Sequence, residues 1–163
     1  MERVIAILEQ VARPGISQVI EYIRKSNYAT ARCGEHHKYK GGLVDHSLEV
    51  YKIMKQLNRG IPEDSVSICA LLHDLGKTQL RGWNFEGRHA ARAIAILERC
   101  GFQLTKDEKF AIRYHHRTSL DALFHNYRNA LTKADMDSTA NWKKKHCKPS
   151  GKDALYEFIG KLL

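Results

Sequence analysis

The residues that point most directly to chemistry are a histidine and an aspartate, His73 and Asp74, which adjoin each other near the end of an apolar helical stretch. The local sequence Leu-Leu-His-Asp-Leu-Gly-Lys places an imidazole and a carboxylate among leucines. Burying both groups is costly unless they pair or bind a cation. Taken alone, the motif fits a metal site and a hydrogen-bonded His-Asp pair equally well.

Further histidines and aspartates recur along the chain on other stretches of helical periodicity. The sequence holds nine histidines, and neutral imidazole is the commonest metal ligand in proteins. Polar ligands that point inward from several helices can assemble a metal centre in the core of a bundle. In chain order these groups are His46, His73 with Asp74, His89, His115 with His116, and Asp135.

The region from about His36 to Asp137 resembles the HD superfamily of metal-dependent phosphohydrolases. Its first part, His-His-Lys-Tyr-Lys-Gly-Gly-Leu-Val-Asp-His-Ser-Leu, is particularly similar to the HD domains of bacterial 3′-to-5′ exoribonucleases and of some conjugative relaxase proteins. A His-Asp pair alone is a weak signal. The combination of His-Asp-x-Gly-Lys with an upstream Gly-Gly-Leu-x-x-His and a downstream Ala-Asp is a strong one.

The resemblance implies a role for each of these residues. Asp74 would be the carboxylate able to bridge two ions, and Lys77 and Arg88 are the candidates that would bind phosphate. Two alternatives stay open. In the first, the extra histidines contact phosphate without a second ion. In the second, Asp137 replaces Asp135, although residues two positions apart on a helix face roughly opposite sides. The implied ligands of the first ion are His46, His73, Asp74 and Asp135, and those of the second include His89, His115 and His116.

A mixed set of imidazole and carboxylate ligands suits one or two divalent ions such as Mn, Fe, Ni, Co, Zn or Mg. Such an ion lowers the pKa of water and neutralises charge on phosphoryl oxygens, so no nucleophilic side chain is required. The candidate catalytic residues are therefore Asp74, Lys77 and Arg88. We expect a phosphohydrolase acting on a phosphomonoester or phosphodiester of a nucleotide or related small phosphate. The alternatives are a phosphodiesterase for single-stranded nucleic acid and a non-catalytic, metal-bound nucleotide sensor.

The elements that must position these residues are helices, because apolar residues recur with a helical period and no strand alternation is found. The sequence predicts an all-α, single-domain helical bundle of the HD-domain type. Asp64 and Thr105 are predicted N-caps, the latter in a capping box with Glu108, and Gly76 is a predicted helix stop. The predicted helices span about 2–12, 16–23, 43–57, 64–75, 90–100, 105–116, 121–138 and 153–163.

Within one domain, residues 1–35 are predicted to form N-terminal helices, 36–137 the motif-bearing core, and 138–163 a basic segment with a C-terminal helix. The formal charge of +9 favours anionic partners such as nucleotides or single-stranded nucleic acid. The lysines at 143–145, 148 and 152 form either a solvated surface or a phosphate-binding patch.

The remaining patterns indicate location and packing. No apolar run approaches a membrane span, and the first residues do not resemble a signal peptide, so we expect a cytoplasmic protein without a membrane partner. The four cysteines are scattered without a Cys-x-x-Cys pair, which argues against a thiolate zinc site. Trp83 and Phe85 are expected to pack on the core, with a base-stacking lid as the alternative. The sequence does not indicate an oligomeric state.

Overall fold

The computed structural model describes residues 1–34, 36–57, 60–116 and 126–147, and in these residues the chain forms helices and no β-strand. The predicted all-α, single-domain fold is confirmed. A short 3₁₀ turn, Leu75–Lys77, follows the fourth helix. The α-helices are α1 (Glu2–Leu8), α2 (Ile16–Lys25), α3 (Gly42–Gln56), α4 (Glu63–Leu72), α5 (His89–Arg99), α6 (Lys106–Tyr114) and α7 (Asn126–His146).

Helix α4 lies at the centre of the bundle. Every residue from Ser65 to Leu72 is buried, as expected for a helix that is apolar on all sides. Ile68, Leu71 and Leu72 pack into the cluster that holds the N-terminal helices and α5. The opposite side of α4 packs into a second cluster with α3 and α7. The chain therefore carries His73 and Asp74, which follow α4 directly, into the bundle core.

Both predicted ends of α4 were wrong. The helix begins at Glu63 after Pro62, so Asp64 lies in the first turn rather than at the N-cap. It ends at Leu72, and the chain tightens into the 3₁₀ turn instead of reaching Leu75 as α-helix. Gly76 does not adopt the left-handed conformation of a helix stop. A Cβ there would overlap the carbonyl oxygen of His89, so glycine is needed where this turn packs against α5.

The predicted capping box at α6 is confirmed. The Thr105 side chain accepts a hydrogen bond from the Glu108 amide at 3.2 Å, and the Glu108 carboxylate accepts one from the Thr105 amide at 2.8 Å. The same carboxylate, which is fully buried, pairs with Arg13 at 2.5 Å and accepts a hydrogen bond from Ser65 at 2.7 Å. Glu108 thus links the start of α6 to α4 and to the segment between α1 and α2.

Helix α7 differs most from its prediction. It continues to His146, eight residues past the expected end, so the lysines at 143–145 lie on its last turns and not on a separate basic segment. Its inner face, which includes Leu131 and Ala134, packs against α3 and α6. The predictions for residues 121–125, for Lys148 and Lys152, and for a helix at 153–163 lie outside the described residues.

Two smaller expectations concern the N-terminus and the loop after the 3₁₀ turn. Helix α1 ends at Leu8 and not at residue 12, although Val11 beyond it is still buried. Trp83 and Phe85 are partly buried against the core, which confirms the predicted packing. The Trp83 ring lies 4.9 Å from that of Tyr22. Across the described part of the chain, none of the helices has the length and apolar character needed to cross a membrane.

Candidate metal centre

A first group of three side chains meets in the bundle core, where α3, α4 and α7 approach one another. His46 comes from α3, His73 caps the end of α4, and Asp135 comes from α7. The His46 Nε2 atom lies 3.3 Å from His73 Nε2 and 3.2 Å from Asp135 Oδ1. All three residues are buried, and their ligand atoms lie within 4.8 Å of one another, so this group could hold a metal ion.

A second group lies beside the first, where the start of α5 meets the end of α6. It consists of Asp74, His89, His115 and His116, and it could also hold a metal ion. The Asp74 Oδ1 atom lies 3.3 Å from His89 Nε2 and 3.9 Å from His115 Nε2. The Nε2 atoms of His89 and His116 are 2.9 Å apart. The adjacent histidines at 115 and 116 therefore both reach the same group.

The Asp74 carboxylate lies between the two groups. Its Oδ2 atom is 3.6 Å from His46 Nε2 and 3.5 Å from His73 Nε2, whereas its Oδ1 atom faces His89 and His115. One carboxylate thus offers a separate oxygen to each set of imidazoles. This is the arrangement expected of a ligand shared by two ions.

Backbone carbonyls fix the orientation of two of the buried imidazoles. The His73 Nδ1–H donates to the carbonyl of Ala70 at 3.0 Å, and the His115 Nδ1–H donates to the carbonyl of Ile112 at 2.7 Å. Because a carbonyl only accepts, Nδ1 carries the proton in each neutral ring. The Nε2 lone pairs of His73 and His115 are therefore directed towards the carboxylates of the site.

A side-chain relay fixes the third buried imidazole. The Ser138 hydroxyl donates to Glu49 at 3.1 Å, so its oxygen accepts from His46 Nδ1, also at 3.1 Å. Asn141 donates to the other oxygen of Glu49 at 3.0 Å. The sequence reasoning missed Glu49 and Ser138. The available signal was their helical spacing, since each lies three residues after a predicted ligand, His46 and Asp135 respectively.

Burial and charge set the protonation states of the site. Burial lowers the pKa of His73, and it lowers the pKa values of His89 and His115 to about 4 and about 3. Burial by itself raises the pKa of Asp74, but His73 and Lys77 lower it by more, so it lies well below its ordinary value. The pKa of Asp135 is also lowered. At neutral pH these are neutral imidazoles and ionised carboxylates, the forms that bind metals.

Two buried atoms test whether the site fits a cation. Asp74 Oδ1 and His115 Nε2 are inaccessible to solvent and have no hydrogen-bond partner among the described residues. Both present lone pairs, so neither can donate to the other. Burying such atoms unsatisfied is costly, and a divalent cation would satisfy both. The donor set therefore fits a metal ion.

The two cations predicted to bind phosphate lie in different places. The Lys77 ammonium donates to Asp74 Oδ2 at 2.6 Å and to the Cys33 carbonyl at 2.9 Å, at the edge of the site. Arg88 is the exposed residue that precedes α5, and it is not among the described residues that line the cleft beside the two groups. Its role in anion binding stays a prediction.

A cysteine, which the sequence reasoning did not assign to the site, lies beside Asp74. The Cys33 thiol donates to Asp74 Oδ2 at 3.4 Å, and Cys33, His36 and His46 form a third set that could hold a metal. Burial raises the pKa of the Cys33 thiol. No spacing rule pointed to Cys33, because it lies in the irregular segment between α2 and α3.

The alternative ligand Asp137 lies away from both groups. It forms an exposed ion pair with Lys133 at 2.6 Å, one turn earlier on α7. Asp135, on the inner side of the same helix, is 7% exposed and contacts His46. The geometry therefore favours Asp135 as the α7 ligand.

The metal groups open into one cleft of about 510 Å³, which we call the site cleft. This volume lies within the range of small-molecule binding sites. His36 lines this cleft, whereas its neighbour His37 is buried. The described residues that line the site cleft are Cys33, His36, Lys77, His89, His116, Asp135, Met136, Thr139, Ala140 and Lys143.

Comparison with known proteins identifies a protein family. The family model of the HD domain matches residues 43–149, more than half of the chain. All of the predicted metal ligands lie inside the matched region. No curated protein matches the chain, and no solved structure matches it.

Proposed function

Since this chain belongs to the HD domain family of metal-dependent phosphohydrolases, we propose that it is an active, divalent-metal-dependent phosphohydrolase. The substrate we propose is a phosphomonoester or phosphodiester of a nucleotide. The net charge of +9 and the lysines near the site cleft favour an anionic substrate.

The observation that carries this proposal is the position of Asp74 between two imidazole sets. His46, His73 and Asp135 would hold one ion, and His89, His115 and His116 the other, with Asp74 shared between them. Divalent ions bound there would supply Lewis acidity and lower the pKa of water near neutral pH. The unpartnered Oδ1 of Asp74 and Nε2 of His115 support the second ion in particular.

The chain's own groups would prepare the site for a phosphate. Lys77 places a positive charge at the cleft wall and holds the Asp74 carboxylate in place through Oδ2. Ser138 and Glu49 keep the His46 proton on Nδ1, which leaves Nε2 free to bind a metal. A phosphate in the site cleft would meet the Lys77 ammonium, which lines the cleft together with the half-exposed His116 and supplies its fixed positive charge. Fixed positive charge of this kind stabilises developing negative charge on phosphoryl oxygens.

The test is hydrolysis of bis(p-nitrophenyl) phosphate, p-nitrophenyl phosphate and a nucleotide panel with Mn²⁺ added. We expect turnover by the wild type and none by Asp74→Ala, with unchanged helical circular dichroism. Asp137→Ala is the matched control, and we expect it to retain activity because Asp137 pairs only with Lys133 among the described side chains. Tight nucleotide binding without turnover of any substrate would contradict the proposal and indicate a sensor.

A further inference from the structure

The site cleft continues past the metal groups along one face of α7. From Asp135 its lining residues on this helix are Met136, Thr139, Ala140 and Lys143. At 100° per residue these five positions fall within an arc of about 140° of the helix surface. The cleft is therefore a groove that starts at a metal ligand and ends at a lysine.

The floor of this groove is unusually apolar for an exposed surface. Met136 is 55% exposed, and it is one of two large hydrophobic residues that are exposed in the described part of the chain. Ala140 lies one turn further along the same face. An exposed apolar patch between charged groups is typical of a surface that contacts the organic part of a ligand.

The far end of the groove carries an unpaired positive charge. The Lys143 side chain is exposed and forms no ion pair with any side chain in the described ranges. The other lysine among the described residues that line the site cleft, Lys77, has a partner, since it pairs with Asp74. Lys143 lies eight positions after Asp135, which is about 12 Å along the helix axis.

From this arrangement we propose that Lys143 binds a second phosphate of the substrate and that the substrate is a short oligonucleotide. One phosphate would lie at the metal groups, a nucleoside would lie over Met136 and Ala140, and the next phosphates would reach Lys143. A nucleoside 5′-monophosphate carries a single phosphate, so it has no second anionic group to reach Lys143. The inference rests on the proposed function for the position of the first phosphate.

The helix supplies a matched control for this assignment. Lys145 carries the same charge two residues later, but it is not among the residues that line the site cleft. It lies about 160° around the helix from Lys143. Lys143→Ala and Lys145→Ala therefore change the net charge equally, and only the first removes a charge from the groove.

The measurement is equilibrium binding of a 5′-phosphorylated, fluorescein-labelled trithymidylate with phosphorothioate linkages, which slow hydrolysis, in the presence of Mn²⁺. We expect Lys143→Ala to raise its Kd by about fivefold, the upper range for an exposed ion pair. The slope of log Kd against log salt should fall by about 0.7, the value for one phosphate contact on a single strand. Lys145→Ala should change Kd by less than about twofold, and neither variant should alter binding of thymidine 5′-monophosphate.

Equal weakening by both variants would show a bulk charge effect and overturn the proposal. An unchanged Kd in Lys143→Ala, or no binding of the trithymidylate by the wild type, would also overturn it. The assay requires no turnover, so its result is separate from that of the hydrolysis test. If the wild type hydrolyses bis(p-nitrophenyl) phosphate but the two variants bind the trithymidylate equally well, the result contradicts the assignment of Lys143 and not the proposed function. If Lys143→Ala weakens trithymidylate binding and Lys145→Ala does not, but the wild type hydrolyses no substrate, the result contradicts the proposed function and not the assignment of Lys143.

Discussion

Oδ1 of Asp74 lies 3.9 Å from Nε2 of His115, and both atoms are buried without a hydrogen-bond partner in the described residues. The His115 proton is held on Nδ1 by the Ile112 carbonyl, so the two atoms face each other as acceptors. A cation between them would remove this unfavourable contact. This pair is the clearest reason to expect an ion in the second group as well as in the first.

The first prediction separates the two aspartates of α7. Asp135→Asn should weaken binding of Mn²⁺ because a direct ligand loses its charge. The loss should exceed the roughly 10- to 100-fold that is typical when a hydrogen-bond partner of a metal ligand is substituted. Asp137→Asn should leave the affinity unchanged, since Asp137 pairs with the exposed Lys133. Competition with a chromophoric chelator measures both affinities. Similar losses in the two variants would contradict the assignment of Asp135.

The second prediction concerns the relay behind His46. Ser138→Ala removes the hydroxyl that accepts from His46 Nδ1 and donates to Glu49. We expect metal affinity to fall about 10-fold, because the imidazole loses the partner that fixes its tautomer and orientation. Thermal unfolding of the metal-free protein provides the control. A large loss of metal-free stability with unchanged affinity would indicate a purely structural role for Ser138.

The third prediction concerns stability away from the site. Burial raises the pKa of Glu108, but its bonds with Arg13, Thr105 and Ser65 lower it by more, so the net pKa lies below 4.5. A carboxylate with a lowered folded-state pKa contributes stability that is complete above about pH 4.5 and is lost as the pH falls through the folded-state value. Glu108→Ala should destabilise the protein by about 3 kcal/mol at pH 7, since it leaves Arg13 without its partner.

The control for Glu108 is Glu98→Ala, which breaks an exposed ion pair with Lys109. Glu98→Ala should lower the free energy of unfolding by less than about 1 kcal/mol. Denaturant unfolding at pH 7 and pH 4 measures both variants. The difference in the free energy of unfolding between wild type and Glu108→Ala should be smaller at pH 4 than at pH 7. A larger difference at pH 4 would contradict the lowered pKa of Glu108.

How far the sequence predicts this structure can be seen at α4 and α7. The apolar run before His73 predicts a buried helix, and the structure confirms it. Its ends depend on contacts that no local pattern contains, because the 3₁₀ turn at Gly76 is imposed by close packing against the His89 backbone. The extension of α7 was missed because its last turns are rich in lysine and polar residues, which gives them no apolar stripe to signal a helix.

In the candidate site, too, some residues could be predicted from the sequence and others could not. His46, His73 and Asp74 stand out because polar groups on apolar helices require a reason to be buried, whereas Asp135 was predicted from the resemblance of its Ala-Asp context to the family. Cys33 gives no such signal, since it comes from an irregular segment whose path is set by α3 and the 3₁₀ turn. The role of Arg88 stays a prediction, because this residue is exposed, directly precedes α5 and is not among the described residues that line the site cleft.

A metal site shared at Asp74 is tested most directly by an elemental count of divalent metal per chain on purified wild type and Asp74→Ala. With Asp74 shared by two ligand groups, we predict about two ions per wild-type chain and loss of both in the variant, with the helical circular dichroism unchanged. A wild type that binds no divalent metal, or an Asp74→Ala protein that retains two ions, would contradict a metal site that depends on Asp74.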